Sequence, residues 1–448
     1  MAIYVVLFVM ANIFISFEES ETISKWTKRA VVCGVMGLLL FLTFALRHPS
    51  MGIDLHYGSS YGYLASYKKL EAISWEEIFA MERRDFYNYE KGYVIFNKIV
   101  LTIFGSDYQI LLIACAFCSI VPMAYAIYKR SESPAFSFIL YMSLPFFLLI
   151  FSGLRQSIAI GLCFLAFSFV EEKKLIPFLF WTALAYTFHS SAILFFVVYP
   201  AYHIKFSSGW RWASAIALPL LYINAEEIFS MLNTIFSLGV ALEPTNAIEL
   251  FTVYSLIYVF CIFFQKDGGV RKKGFQNMLL AKDEESGRQQ GYLNMFWIAC
   301  ACQAMSVAYG LATRMGYYYG AFLLFLLPSV ITHMPLKNAG GSFAYSINIK
   351  KRQPLPAPDY LTATPVADLY NTRVLGSLKR FLFSLPHRAP LKYVLKNRLV
   401  KRTVSVFQED LRDILLLFIV GCFMVFGLIN LMTSFISMAY PYKFFWKV

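Results

Sequence analysis

Apolar runs that reach or approach the length needed to cross a bilayer recur along almost the whole chain, and no other feature limits its fold so strongly. Crossing a hydrocarbon core of about 30 Å takes roughly 20 helical residues. Candidate spans lie near 2–17, 30–46, 107–128, 134–151, 153–170, 175–188, 190–202, 210–223, 247–265, 292–310, 315–334 and 414–436. The reading is an all-α polytopic membrane protein with about twelve transmembrane helices. Its composition agrees: 58% of the 448 residues are hydrophobic, 15% are charged, and the mean hydropathy is +0.57, outside the range of soluble domains. No separate soluble catalytic domain is visible. The opening run MAIYVVLFVMANIFISF lacks a basic leader and a small-residue cleavage site, so it reads as a first span and not as a signal peptide.

A net charge of +13 would suit nucleic acid in a soluble protein, but the placement of the charge excludes that here. Basic residues gather in the connectors 25-KWTKR-29, 129-KRSES-133, 171-EEKK-174 and 271-RKK-273 and throughout 336–413, and cytoplasmic loops are the ones enriched in Lys and Arg. Twelve crossings put all of these inside. The connectors 47–106, 152–155, 224–246 and 312–314, the turn near 189 and both termini then face outward. The long 47–92 stretch reads as an ordered external loop with interfacial amphipathic helices. Residues 175–203 are long for one span and short for two, and a hairpin turning near His189 fits them best. Three parts follow: 1–335 as a helical transmembrane catalytic domain with external loop 47–106, 336–413 as a basic cytoplasmic insertion, and 414–448 as a last helix with a short external tail. The insertion suits anionic headgroups or a cytoplasmic partner.

All eight cysteines fall in apolar runs, where Cys behaves as a small hydrophobe, and no matching His/Cys spacing suggests a metal. No disulfide, metal or cofactor is expected. The polar residues near the outer face are Arg47, Asp54, His56, Glu90, Arg155, Gln156, His189 and Arg314. An arginine near the membrane is costly and normally faces a wet cavity or a partner, and its fork of donors matches the oxygen edges of phosphate. Three outward arginines, Arg47, Arg155 and Arg314, could surround one pyrophosphate. Arg47 and Arg314 also sit at span ends, where snorkelling is an arginine's ordinary role. Gly316 with Gly320, and Ser157 with Gly161, have the spacing of close helix contacts.

Five short motifs, in order, resemble one family. These are Arg47 with 52-GIDLHYGSSY-61, 90-EKGYVIFNKIV-100, 152-SGLRQSIAIGL-162, 188-FHSSA-192 and 313-TRMGYYY-319. They resemble the EpsG family, the Wzy-like polymerases of bacterial exopolysaccharide and capsule synthesis. Lys91 stands where that pattern commonly has proline, and the 336–413 insertion has no counterpart in it. The resemblance implies a membrane glycosyltransferase related to the GT-C superfamily that joins polyprenyl-diphosphate-linked oligosaccharide repeat units at the outer face of the bacterial cytoplasmic membrane. It works without a metal, alongside a flippase and a chain-length regulator.

In that reading Arg155, Arg47 and Arg314 stabilise the diphosphate leaving group. Gln156, Glu90, Tyr57, Tyr61, Tyr93 and Tyr317 bind substrate. His189 and Asp54 are the two candidates for taking the acceptor proton, and His189 is favoured because a carboxylate beside arginines is the weaker base; Asp54 then orients Arg47 or the acceptor sugar. A different lipid-linked-sugar transferase or ligase shares the same logic. A lipid-linked oligosaccharide flippase would instead show internal repeats and charge at mid-membrane depth, and no long repeat is evident.

Overall fold

The computed structural model describes residues 2–20, 23–82, 86–235, 237, 241–243, 245, 248–265, 284–334, 415–429, 442–444 and 446. The chain divides into one unit of Met1–Thr332 with Val420–Val448 and a second of His333–Ile419. The first is the subject here. The basic connector 271–273 and the insertion 336–413 lie outside the described residues.

Lipid offers backbone N–H and C=O groups no partners, so a spanning chain satisfies them within helices. The described residues follow that rule: their regular elements are helices, and extended pairing is limited to two isolated bridges, Arg47 with Phe444 and Glu243 with Tyr309. Helices α1 (Ala2–Glu18) and α2 (Lys25–Ala45) open the chain. The stretch 47–92 then folds with two short α-helices, α3 (Gly62–Lys69) and α4 (Trp75–Ala80), before α5 (Lys91–Phe104). Ser74 and Glu77 form a reciprocal capping box that starts α4, satisfying N-terminal donors which would otherwise be orphaned.

Helix α6 (Tyr108–Arg130) is followed by α7 (Pro134–Ser143) and α8 (Pro145–Ser152), which meet at 64°. The single rod expected over 134–151 is therefore broken. Leu144 is extended, as the residue before a proline prefers, and Pro145 restarts the helix. Helix α9 (Leu154–Glu171) leads to α10 (Leu175–Phe188), and a 3-10 segment (Ser190–Val197) runs into α11 (Val198–His203). The chain reverses at His189, setting the Phe178 ring 5.4 Å from that of Tyr199. Residues 175–203 thus form a hairpin.

Helices α12 (Ser208–Ile223) and α13 (Ala225–Ile235) meet at 83°, so part of the expected connector 224–246 is helical. Next come α14 (Ile248–Phe264) and α15 (Glu284–Met305), which begins well before the span expected at 292–310. Helices α16 (Leu311–Gly320) and α17 (Leu323–Thr332) divide the expected 315–334 span with a 45° bend. Helix α18 (Leu415–Ile429) is the last. Among the described residues, α2, α6 and α9 are each long and apolar enough to cross a membrane, and the three bent pairs raise the number to six.

Helix α9 organises the rest. A carbonyl of α6, from Cys118, approaches so closely that a Cβ on Gly161 would lie 2.6 Å from it, and Ser157 bonds Ser119 across the same seam at 3.1 Å. Close backbone approach is how small residues bring helices together where lipid gives no hydrophobic drive. Aromatic rings from α9, the 3-10 segment, α15 and the α16–α17 bend then fill its other side, with Phe322 4.8 Å from Phe167 and 5.1 Å from Phe164.

Candidate active site

At the N-terminal end of α9, four elements converge on one carboxylate. Glu90 is the N-cap residue of α5, and its side chain is only 2% exposed. Its Oε2 accepts from Arg155 Nη1, in the first turn of α9, at 2.5 Å. Its Oε1 accepts from the backbone N–H of Ser190 at 2.9 Å and lies 3.6 Å from His189 Nδ1. Burial acts to raise the Glu90 carboxyl, but Arg155, the Ser190 N–H and His189 outweigh it and hold the group below the usual carboxylate range.

Local packing explains why these residues meet. A Cβ on Gly92 would fall 2.2 Å from Thr187 Oγ1, so only glycine lets the first turn of α5 abut the end of α10. That contact places Glu90 beside His189, the C-cap of α10. Gly52 has the same role one motif earlier: its φ is +121° and a Cβ would lie 1.9 Å from the Phe151 carbonyl oxygen. Two lysines fix the short helices of 62–80 onto α5. Lys91 Nζ donates to the carbonyls of Phe79 and Met81 at 2.8 and 3.0 Å, and Lys98 Nζ donates to those of Leu70 and Ile73 at 2.8 and 2.6 Å. Each ammonium covers carbonyls where a short helix ends, the favoured place for a cation.

The Arg155 guanidinium is also held from the aromatic side. Its Nε donates to the Tyr63 hydroxyl at 3.1 Å, its Nη1 lies 3.4 Å from the Asn88 carbonyl oxygen, and its plane sits 4.5 Å from the centre of the Tyr89 ring. Tyr63 and Tyr89 stack at 5.2 Å, and both rings meet Tyr93 edge-on. The arginine nevertheless stays open to solvent, 19% exposed at its side chain. Burial holds the Tyr63 and Tyr89 phenols above the ordinary phenol range, with Asp54 close enough to add to the effect and Arg155 opposing it.

Gln156 Nε2 donates to the Arg314 carbonyl at 2.7 Å, which ties α16 to the first turn of α9. Arg314 is partly buried beside Tyr317, and among the described residues its guanidinium has no ion-pair partner. Next to it Ser191 Oγ and the Tyr318 hydroxyl are 3.1 Å apart.

Arg47 is placed elsewhere. It is 1% exposed, donates from Nη1 to the Ile150 carbonyl at 2.8 Å and lies over the rings of Phe44 and Phe151. The C-terminal tail closes this pocket: Phe444 bridges to Arg47, His48 N donates to the Lys443 carbonyl at 2.8 Å, and the Tyr442 hydroxyl donates to the Thr43 carbonyl at 2.7 Å. Arg47 shares no partner with Arg155, so a ring of three arginines around one anion is not what the fold presents. Tyr57 and Tyr61 are exposed at 51% and 56% and pack on the rings of His48 and His56. Tyr63, Tyr89 and the Ser190 N–H were not singled out by the sequence reading. The two tyrosines lie in the aromatic-rich runs 54-DLHYGSSYGYLASY-67 and 85-DFYNYEKGYVIF-96, and their signal was that richness, with nothing to tell one ring from another.

Glu90 also lines an apolar groove of about 600 Å³ between α5 and α10, with Ile95, Phe96, Ile99, Leu184 and Phe188 among its walls. A buried carboxylate that lines this groove thus holds a solvent-reachable guanidinium and stands beside an imidazole. Such a set can bind an anion and move a proton. No curated protein and no solved structure matches the chain. The sequence model of the EpsG family matches residues 30–347, a span that carries Arg47, Asp54, Glu90, Arg155, His189 and Arg314, and with its apolar helices this makes the chain a membrane protein that belongs to the EpsG family.

Proposed function

We propose that this chain is a polysaccharide polymerase that joins polyprenyl-diphosphate-linked oligosaccharide repeat units at the outer face of the bacterial cytoplasmic membrane. The observation that carries the reading is Arg155, a guanidinium kept reachable and bonded to a carboxylate that lines an apolar groove. A lipid diphosphate has that shape and polarity: an apolar tail for the groove and an anionic head for the arginine.

The acceptor hydroxyl attacks the anomeric carbon of the donor sugar, forming the new C–O bond as the bond from that carbon to the diphosphate oxygen breaks. Negative charge develops on the departing diphosphate, and a cation already in place stabilises it without reorganisation. Arg155 supplies that cation, with Arg314 the second candidate through the Gln156 link. His189 takes the acceptor proton, steadied by Glu90. Asp54, near the Tyr63 and Tyr89 phenols, orients the acceptor sugar, and the exposed rings of Tyr57 and Tyr61 bind saccharide. Arg47 is a framework residue. About twelve crossings, with 336–413 in the cytoplasm and 47–106 outside, place the site at the outer leaflet.

The test is polymerisation by purified protein in liposomes supplied with lipid-linked repeat units. Wild type should yield a ladder of lengthened products, and Arg155→Ala should yield none although it remains folded. A normal ladder from Arg155→Ala would overturn the reading, and translocation of the lipid-linked units without lengthening would favour a flippase.

A further inference from the structure

Glu90 faces two groups that it cannot serve equally. Its Oε2 is tied to Arg155 at 2.5 Å, while His189 Nδ1 stands 3.6 Å from Oε1, beyond hydrogen-bond length. Around them stand the Tyr63 hydroxyl on α3, the Tyr89 ring, the Asn88 carbonyl, the Ser190 N–H and, on α16, Tyr318, which is near enough to feel the Glu90 charge. The carboxylate is buried and the arginine is not, so an anion entering the site meets Arg155 first. Two anions then compete for one guanidinium. The packing of Gly92 on Thr187 keeps the Glu90 and His189 backbones together during that exchange, so a side-chain rotation is enough to bring the freed carboxylate onto the imidazole.

We propose that Glu90 is a positioning residue held by Arg155 while the site is empty and handed to His189 when a diphosphate takes the arginine, so that the base gains further strength in a donor-loaded site. This rests on the diphosphate reading given above. A carboxylate brought against an imidazole favours the protonated ring and makes the neutral ring a better proton acceptor. Proton removal from the acceptor is thereby coupled to the presence of the donor.

The probe is inorganic pyrophosphate, and the readout is the pH dependence of diethyl pyrocarbonate modification at His189, followed by mass spectrometry on the full-length protein. Pyrophosphate should raise the wild-type midpoint by about one pH unit. In Arg155→Gln the midpoint should already be high and should not respond to pyrophosphate. The deciding comparison is a double-mutant cycle. Glu90→Gln should lower the His189 midpoint more in the Arg155→Gln background than in the otherwise wild-type protein, because only there does the carboxylate belong to the imidazole. Equal effects in both backgrounds would mean two independent charges and would overturn the hand-over. Calorimetric binding of pyrophosphate without any shift at His189 would overturn it while leaving the diphosphate reading intact. Absence of pyrophosphate binding to wild type would overturn both. The wild-type titration needs no variant, so the hand-over stays testable even where Glu90→Gln alone does not fold.

Discussion

Helix α9 carries an arginine–carboxylate pair at each end, and the two are built inside out relative to one another. At the C-terminal end Arg130 Nε meets Glu171 Oε2 at 2.9 Å, with the arginine 5% exposed and the carboxylate 24%. Glu171 Oε1 accepts from the hydroxyls of Tyr292 and Tyr202 at 2.9 and 3.3 Å, and Arg130 lies 4.8 Å above the Phe167 ring. At the N-terminal end the order reverses, with Glu90 at 2% and Arg155 at 19%. A sealed cation whose carboxylate is saturated by neighbours ties α6, α9, α11 and α15 together. A sealed carboxylate with a reachable cation leaves positive charge available to a ligand. The same two residue types thus make a clasp at one end and a binding site at the other.

The largest effects should come from exchanging the two arginines. Arg155→Ala is expected to lower polymerisation per folded molecule by roughly a hundred- to a thousandfold, with a loss of stability as well because the buried Glu90 is left without its cation, and Arg155→Lys should lose much of the activity because a point charge does not reproduce the planar fork. Arg130→Ala should act on stability alone, loosening the clasp between α6 and α9 while Glu171 keeps its two tyrosine hydroxyls, with near-normal activity in the molecules that remain folded. Thermal melts and specific activities on the same preparations measure both, and similar profiles for the two variants would break the comparison.

Next in size is the proton acceptor. His189→Ala should reduce turnover by on the order of a hundredfold or more with donor binding kept, whereas Asp54→Asn should cost less. Near-normal turnover in His189→Ala together with an inactive but folded Asp54→Asn would transfer the role to Asp54. The pH profile sharpens this. Glu90 is held below the usual carboxylate range, so its pair with Arg155 is fully present above that range and is lost only as the pH falls through the lowered value. The acid limb of the wild-type kcat/KM profile should therefore lie near the histidine range, at roughly pH 6–7. A limb confined below about pH 5 would assign the loss to a carboxylate instead.

Smaller again is the effect expected at Lys91. Lys91→Met removes the tie to the Phe79 and Met81 carbonyls and should raise KM severalfold, read from initial rates against donor concentration, with little change in the melting temperature. The last prediction leaves activity untouched. Single cysteines placed in 336–413 should resist an impermeant thiol reagent in intact cells, while those in 57–61 should react. Labelling of 336–413 would reverse the proposed sidedness and put the Arg155 end of α9 in the cytoplasm.

Helix positions were legible because apolar length is a local property: among the described residues each expected run overlaps helix, although 134–151 and 315–334 are each split in two and 190–202 is largely 3-10. The breaks were less so. Pro145 announces the α7–α8 bend in principle, but the 83° turn between α12 and α13 depends on Asn224, whose backbone N–H and side-chain amide both return to the Leu220 carbonyl, an outcome that several other loop residues could have produced. In the site, Glu90, Arg155 and His189 could be found because each is a costly residue at the end of an apolar run. Arg47 looked equivalent by that criterion. Its burial depends on Tyr442, Lys443 and Phe444, nearly the whole chain away, and no local pattern reveals such a partner.

Arg155 and Glu171 stand sixteen residues apart on one straight helix, which at about 1.5 Å per residue separates the two polar ends by about 24 Å. That is shorter than a typical hydrocarbon core of about 30 Å, and neither end can retreat into lipid without stranding a charge. Helix α9 therefore works as a gauge of bilayer thickness. Surrounding lipid must thin, at a modest energetic cost per ångström of mismatch, so the acyl-chain length of the host membrane becomes a variable that tunes how well the two ends are held.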